Sequence, residues 1–185
     1  MRVIAGSARR LQLLSPDGID TRPTQDRIKE TLFNMIQTEV PGAVFLDLCA
    51  GSGGIGIEAL SRGAKRCYFV ENAQDAAKCI QENIHRTHFE EEAVFLKQDV
   101  LNAIGNIHEK QADIIYIDPP YASGLQRRIL AQLAGAPYVT PDTMIIVEAA
   151  LDTDFSYAED LGMQIEREKK YKTNEHVFMR LKGRE

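Results

Sequence analysis

Cysteine, long apolar runs and net positive charge are all scarce in this sequence, and each shortage excludes something. The three cysteines (Cys49, Cys67, Cys79) form no CxxC pair and cannot all pair among themselves. That argues against a disulfide framework and fits a reducing, cytoplasmic setting; Cys49 and Cys67 read as small apolar residues buried in strands. No apolar stretch approaches the length of a membrane span, and Met1-Arg2-Val3-Ile4-Ala5-Gly6 lacks the apolar region of a signal peptide. No membrane partner is therefore expected. Internal repeats, low-complexity runs and long linkers are also missing. What is present is an ordinary globular composition, 44% hydrophobic and 26% charged over 185 residues, enough for one well-buried domain with a short appendage.

The formal net charge of −5 speaks at first against a nucleic-acid partner, but the charge is unevenly spread. Residues 1–30 hold six Lys/Arg against four Asp/Glu, and residues 166–185 hold seven against four, so the acidity belongs to the middle of the chain. Positive potential at the two ends is available to phosphate.

After residue 40, short apolar runs alternate with helical patterns, which predicts an α/β fold with a mostly parallel, Rossmann-like sheet. Strands are expected at Val44–Cys49, Arg66–Glu71, Ala93–Lys97, Ala112–Asp118 and Thr143–Glu148. Between them, helices are expected through about Arg62, over Ala73–Arg86, near Val100–Ile107 and over Leu125–Ala134. In the second of these, Ala76, Ala77, Ile80 and Ile84 share one face. The tail changes character: Gln164–Tyr171 and His176–Leu181 read as an antiparallel hairpin around Lys172-Thr173-Asn174-Glu175, bringing the sheet to seven strands. Residues 1–40 stand apart as an N-terminal extension before a domain of residues 41–185. Arg2–Ala5 and Arg10–Leu14 predict a small protruding hairpin. Thr24, after Pro23, is placed as the N-cap of a helix that turns Ile28, Leu32, Met35 and Ile36 inward.

Two segments carry chemistry. Gly51, Gly53 and Gly56 match GxGxxG behind the first strand, with Glu71 ending the second, as in dinucleotide-binding proteins. Yet Asp47 stands four residues before the first glycine, where a carboxylate pointing into the loop mouth repels a pyrophosphate and attracts a cation. Asp99 follows the third strand and Asp118 the fourth, so four acids share the rim where α/β sheets bind ligands. S-adenosylmethionine suits that rim: ribose hydroxyls for Glu71, an adenine amine for Asp99, an ammonium near Asp47.

The second segment is Asp118-Pro119-Pro120-Tyr121, directly behind the apolar run Ile114-Ile115-Tyr116-Ile117. Asp118 offers acceptor oxygens, the two prolines stiffen the turn and fix the Pro119 carbonyl, and Tyr121 offers a flat face. Together they suit a planar ring bearing an exocyclic amine, though not one particular ring.

Taken together, the glycine loop and Asp118–Tyr121 resemble the class I amino-methyltransferases with their (D/N)PP(Y/F) motif. More narrowly, Arg22-Pro23-Thr24, Asp26-Arg27 and Glu30-Thr31-Leu32-Phe33-Asn34 are similar to the N-terminal signature of the RsmD-type methyltransferases, a resemblance that runs along nearly the whole chain. It implies methylation of a guanine N2 amine in 16S rRNA, within a small-subunit particle. It also implies a methyl-donor site of Thr24, Asp47, Ala50, Gly51, Gly53, Glu71, Asp99 and Asp118, and a base site of Asp118, Pro119, Pro120 and Tyr121. Arg22–Arg27 would help close the site. Arg2, Arg9, Arg10, Arg22 and Arg27 are the residues expected to meet RNA, and a monomer is expected. The rivals are an adenine-N6 methyltransferase, which usually needs a sizeable recognition domain, and a nicotinamide oxidoreductase, which leaves Asp118–Tyr121 unused. His85, His88 and Glu90-Glu91-Glu92 read as a solvated helix end, with no metal expected. Lys169, Lys170 and Lys172 read at least as well as a solvated hairpin face as they do as phosphate contacts.

Overall fold

The computed structural model describes residues 1–16 and 23–183; Arg22, expected near the site, lies outside them. Strands β1 (Val44–Leu48), β2 (Arg66–Val70), β3 (Ala93–Leu96), β4 (Ile114–Ile117) and β5 (Met144–Ala150) are followed by β6 (Met163–Lys170) and β7 (Asn174–Leu181). They form one sheet in the order β3-β2-β1-β4-β5-β7-β6. β1 to β5 run parallel, and β7 inserts antiparallel between β5 and β6. Apart from the buried Asp47, β1 and β4 are apolar, and both are almost wholly buried, as strands covered on both faces must be. β6 is the outer strand, and its mostly exposed run Glu166-Arg167-Glu168-Lys169-Lys170 keeps that edge charged.

Helices cover both faces. On one, α1 (Pro23–Met35), α2 (Gly54–Ser61) and α3 (Gln74–Thr87) pack Leu32, Phe33, Ile57 and Ile80 on Phe45, Phe69, Tyr116, Ile146 and Phe178. On the other, α4 (Val100–Gly105) and α5 (Leu125–Ala134) pack Ile104, Ile129 and Leu133 on Leu48, Ile115, Ile117 and Val147. The expected face of α3 is buried, together with Asn83 and Thr87. Among the described residues no helix is long and apolar enough to cross a membrane.

Three expectations are corrected. α1 begins at Pro23, so Thr24 lies in its first turn and is not the N-cap; proline suits that position because its missing N–H would have no helical partner. Cys49 is not a strand residue: it follows β1 in the left-handed region, φ 64°. The start of the chain is not a protruding pair of strands. It forms a single antiparallel bridge, Arg2 to Gln12, and lies against the body of the protein. Val3, Ala8 and Leu13 are buried in the same core as α1 and α2.

The docking is largely polar. The Glu58 carboxylate, fully buried in α2, accepts the Ile4 and Ala5 N–H groups at 2.8 and 3.1 Å. It also pairs with Lys29 at 3.5 Å and Arg62 at 2.8 Å. Ser61 accepts the Ala8 N–H and donates to the Ala5 carbonyl. Gly6, at φ 85°, lies so close that a Cβ there would fall 1.7 Å from the Ser61 carbonyl oxygen. Further on, the Asn83 side chain grips both the N–H and the carbonyl of Leu14 and the carbonyl of Ser52, joining this segment to the glycine loop.

Candidate active site

In a sheet of this order the chain leaves β1 and β4 towards opposite edges, which opens a crevice beyond their carboxyl ends. The glycine loop fills one side of it. Gly56 packs α2 tightly on the sheet: a Cβ there would lie 2.3 Å from the Phe69 ring and 2.6 Å from Cys67 Sγ. Asp47 lies beneath this loop rather than in its mouth. It is buried, its Oδ2 accepts the Gly56 N–H at 2.9 Å, and it does not line the crevice. Burial pushes its pKa up to about 7, with the Gly56 bond opposing and the Glu71 charge adding to the rise.

The crevice itself, a cleft of about 610 Å³, is lined by Gly51, Glu71, Asp99, Asp118 and Tyr121, and also by Cys49, Asn72 and Gln98. Glu71 Oε2 accepts the Gly51 N–H at 2.9 Å, and Oε1 accepts the N–H groups of Asn72 and Ala73. Asp99 caps α4 by accepting the Leu101 N–H at 2.9 Å. Ala50 and Gly53 shape the loop from outside the cleft: Ala50 bonds the Val70 carbonyl, and Gly53 faces Phe69 and Ile80. The Cys49 thiol registers how closely the four acids gather. Burial, then Glu71, Asp118, Asp47 and Asp99 in that order, push it up to about 12.

Asp118, Pro119, Pro120 and Tyr121 all border this cleft. Tyr121 opens a short 3-10 turn, Tyr121–Ser123, closed by the Ser123 N–H on the Pro120 carbonyl, and is 51% exposed. Asp118 also borders a second, smaller pocket of about 120 Å³ on the α1 side of the sheet, with Ile28, Lys29, Tyr116, Glu148 and His176. Protein packed around it, then the charges of Glu148 and Asp47, push the Asp118 pKa well above the usual carboxylate range. Its side chain is open to solvent at the cleft floor, which tempers that rise.

Sequence reasoning missed the partners of this second pocket. β4 pairs Ile117 with Val147, and β5 pairs Glu148 with His176. One residue further along, Asp118, Glu148 and His176 therefore fall side by side across three strands. Glu148 Oε2 accepts from Tyr116 Oη and from His176 Nε2, the latter at 3.3 Å. Oε1 accepts from Asn174 Nδ2 at 2.7 Å and Tyr121 Oη at 3.2 Å. Tyr171 Oη lies 3.1 Å from His176 Nδ1, so one histidine tautomer satisfies both neighbours. Burial alone would raise the Glu148 pKa, but the bonds from His176, Tyr116 and Asn174 outweigh it and hold the carboxyl below its ordinary value. One signal was available, since Glu148 ends the fifth expected strand and the other acids stand at or near the ends of the first four.

The arginines gather elsewhere. Arg2, Arg9, Arg10 and Arg27 line a groove of about 690 Å³ with Asp26 and Glu30, and Met1 borders both this groove and the small pocket. His85 bonds Glu90 at 2.8 Å on an exposed surface. Among the described residues no cluster of His, Cys, Asp or Glu is arranged to hold a metal ion.

Comparison with known proteins agrees with this architecture. The family described as conserved hypothetical protein 95 matches residues 1–180. The chain is 34% identical over 164 residues to YlbH of Bacillus subtilis, covering 88% of each protein. It is 33% identical over 156 residues to the ribosomal RNA small subunit methyltransferase D of Haemophilus influenzae, covering 82% of this chain and 80% of that one. The solved structure of yhhF from Escherichia coli superimposes with a TM-score of 0.82 at 26% identity, covering 100% of this chain and 99% of that one. The chain thus belongs to the conserved hypothetical protein 95 family, the RsmD-type methyltransferases whose N-terminal signature it carries.

Proposed function

We propose that the protein transfers a methyl group from S-adenosylmethionine to the N2 amine of a guanine in 16S rRNA, acting as a monomer on a small-subunit particle. The observation that carries this reading is that Asp118 borders two spaces at once, a large cleft on the glycine-loop side and a small pocket on the α1 side. One residue at a junction is what a transfer between two ligands needs. The name of the Haemophilus influenzae relative supports ribosomal RNA as the target.

The cleft residues fit the donor. Glu71 Oε2 accepts a single N–H and keeps acceptor capacity for a ribose hydroxyl. Asp99 and Gln98 offer polar groups to an adenine edge, and Gly51 lets the backbone approach. Asp47 contributes from beneath, through its charge and its hold on Gly56. Bound here, S-adenosylmethionine supplies an electrophilic methyl group on a sulfonium. On the other side, Asp118 and the Pro119 carbonyl accept the hydrogens of the target amine and draw its nitrogen towards sp³, restoring a lone pair that the ring otherwise delocalises. As the N–C bond forms, the S–CH3 bond of the donor would break and its sulfur leave as a neutral thioether; the amine loses one proton, and Asp118, with its raised pKa, is placed to receive it. Tyr121 covers the base, offsetting part of the few kcal/mol that unstacking requires. Positioning of the two reactants is worth up to about 7–11 kcal/mol in well-oriented systems. Residues 1–40 provide the RNA-facing extension, with Arg2, Arg9, Arg10 and Arg27 in a groove that leads by Met1 to the pocket.

The test is methylation of small-subunit particles that lack the modification, followed by mapping of the labelled base. Wild-type protein should label one guanine at N2. Asp118→Ala should lower turnover by at least about 1,000-fold while still binding S-adenosylmethionine by calorimetry. Normal turnover in that variant, or binding of NAD in place of S-adenosylmethionine, sinks the reading.

A further inference from the structure

The transfer as described makes no use of Glu148, yet this carboxylate stands beside Asp118 in the small pocket. Adjacent strands lie about 4.8 Å apart, so two acceptors on neighbouring strands at the same level can meet neighbouring donors on one edge of a base. Glu148 has four donors, and they are not alike. Tyr116, His176 and Asn174 are buried strand residues. Tyr121 alone is largely exposed and belongs to a turn. Its hydroxyl therefore occupies the one position on Glu148 that an incoming ligand is able to take over. Tyr121 is also the residue whose ring must be free to lie on the base.

We propose that Glu148 is a specificity residue of the base pocket. On base entry its carboxylate exchanges the Tyr121 hydroxyl for the ring N1–H of the purine whose exocyclic amine Asp118 holds. One hydrogen bond replaces another, so the exchange is close to neutral in free energy, and the tyrosine ring is released to cover the base. Guanine presents N1–H and the N2 amine side by side and satisfies both carboxylates. A purine with a lone pair at N1 would face Glu148 with two acceptors opposed. His176, Asn174 and Tyr116 act through Glu148 by keeping it ionised and in place.

This inference rests on the guanine-N2 reading, and the experiment separates the two. Once the labelled guanine has been mapped, it is replaced in reconstituted particles by 2-aminopurine, which keeps the N2 amine but lacks the 6-oxo group and carries a lone pair at N1. The loss of the oxo group is common to wild type and Glu148→Gln, so the difference between the two proteins reports on N1. Wild-type kcat/KM should fall by about 100-fold or more, the size of effect expected when a buried charged acceptor is left without a donor. Glu148→Gln, which offers that lone pair an amide donor, should be slower on guanine but discriminate by less than about tenfold. Its affinity for S-adenosylmethionine should be unchanged. Equal wild-type rates on the two bases overturn the role of Glu148 and leave the methyltransferase reading intact. So does a Glu148→Gln variant that slows both bases alike, since that is the mark of a purely structural residue. If no guanine is labelled by the wild type, the guanine reading fails and this inference fails with it. The wild-type comparison needs no variant, so a poorly folded Glu148→Gln would not shelter the idea.

Discussion

Asp47 shows how a single side chain ties the stability of this protein to its site. In the folded protein its pKa is raised to about 7, chiefly by burial, while in the unfolded chain it titrates near 4. Between those values the folded state holds the proton more tightly, so this group's contribution to stability declines as pH rises from about 4 to 7 and is flat above. Asp47→Asn keeps an oxygen for the Gly56 N–H and removes the titration. Relative to wild type, the variant should therefore gain about 2–3 kcal/mol between pH 5 and pH 8, read by denaturant unfolding at the two pH values. Donor affinity should fall at the same time. A stability difference that does not change with pH would show that Asp47 does not titrate in this window. Glu148 behaves oppositely: its carboxyl is held low, so what it contributes is present at neutral pH and lost only in acid. These contrasts follow from burial and partners and were invisible in the sequence, where both are simply acids near strand ends. The placement of Asp118–Tyr121 beside the cleft was legible because the four residues directly follow one apolar strand.

At the scale of elements, strands and helices were read well wherever apolar periodicity ran uninterrupted. Leu125–Ala134 is a helix with the expected ends, and the alternation from Val44 onwards folds as expected. Pairing was harder. His176 and Asn174 reach the site because β7 runs antiparallel beside β5 with Glu148 opposite His176, a register set by contacts far apart in sequence. The expected turn at Lys172–Glu175 hid it, since Asn174 and Glu175 are already strand. The N-terminal segment misled for a related reason. Its arginines suggested an exposed arm, but its N–H groups find their partner in a carboxylate 53 and 54 positions away. Glu58→Ala should cost about 3–5 kcal/mol by leaving the buried Lys29 with the Arg2 carbonyl but without its carboxylate, and the Ile4 and Ala5 amides should exchange hydrogen markedly faster. A loss below about 1 kcal/mol would mean that apolar packing of Val3, Ala8 and Leu13 holds the segment on its own.

Over the whole molecule, an acidic chain presents arginines on one groove, and the net charge of −5 hides that distribution. If RNA phosphate lies along the groove, Arg9→Ala with Arg10→Ala should weaken RNA binding and reduce the slope of log affinity against log salt by about 1.4–1.8. Neither residue carries a stabilising bond from its side chain among those described, so the fold should be unaffected. An unchanged slope would move the RNA to another surface, with the lysines of β6 as the next place to look.

The antiparallel strand has a consequence for the order in which the molecule is assembled. The residues of the large cleft all lie between positions 49 and 125, whereas the small pocket also draws on 148 and 176. A chain made from its N-terminus at about 5–20 residues per second has every cleft residue in hand some seconds before the last wall of the pocket. β7 must then slip between β5 and β6, with β6 already synthesised. The two halves of the site therefore mature at different times, and the half proposed to hold the base is the last to form.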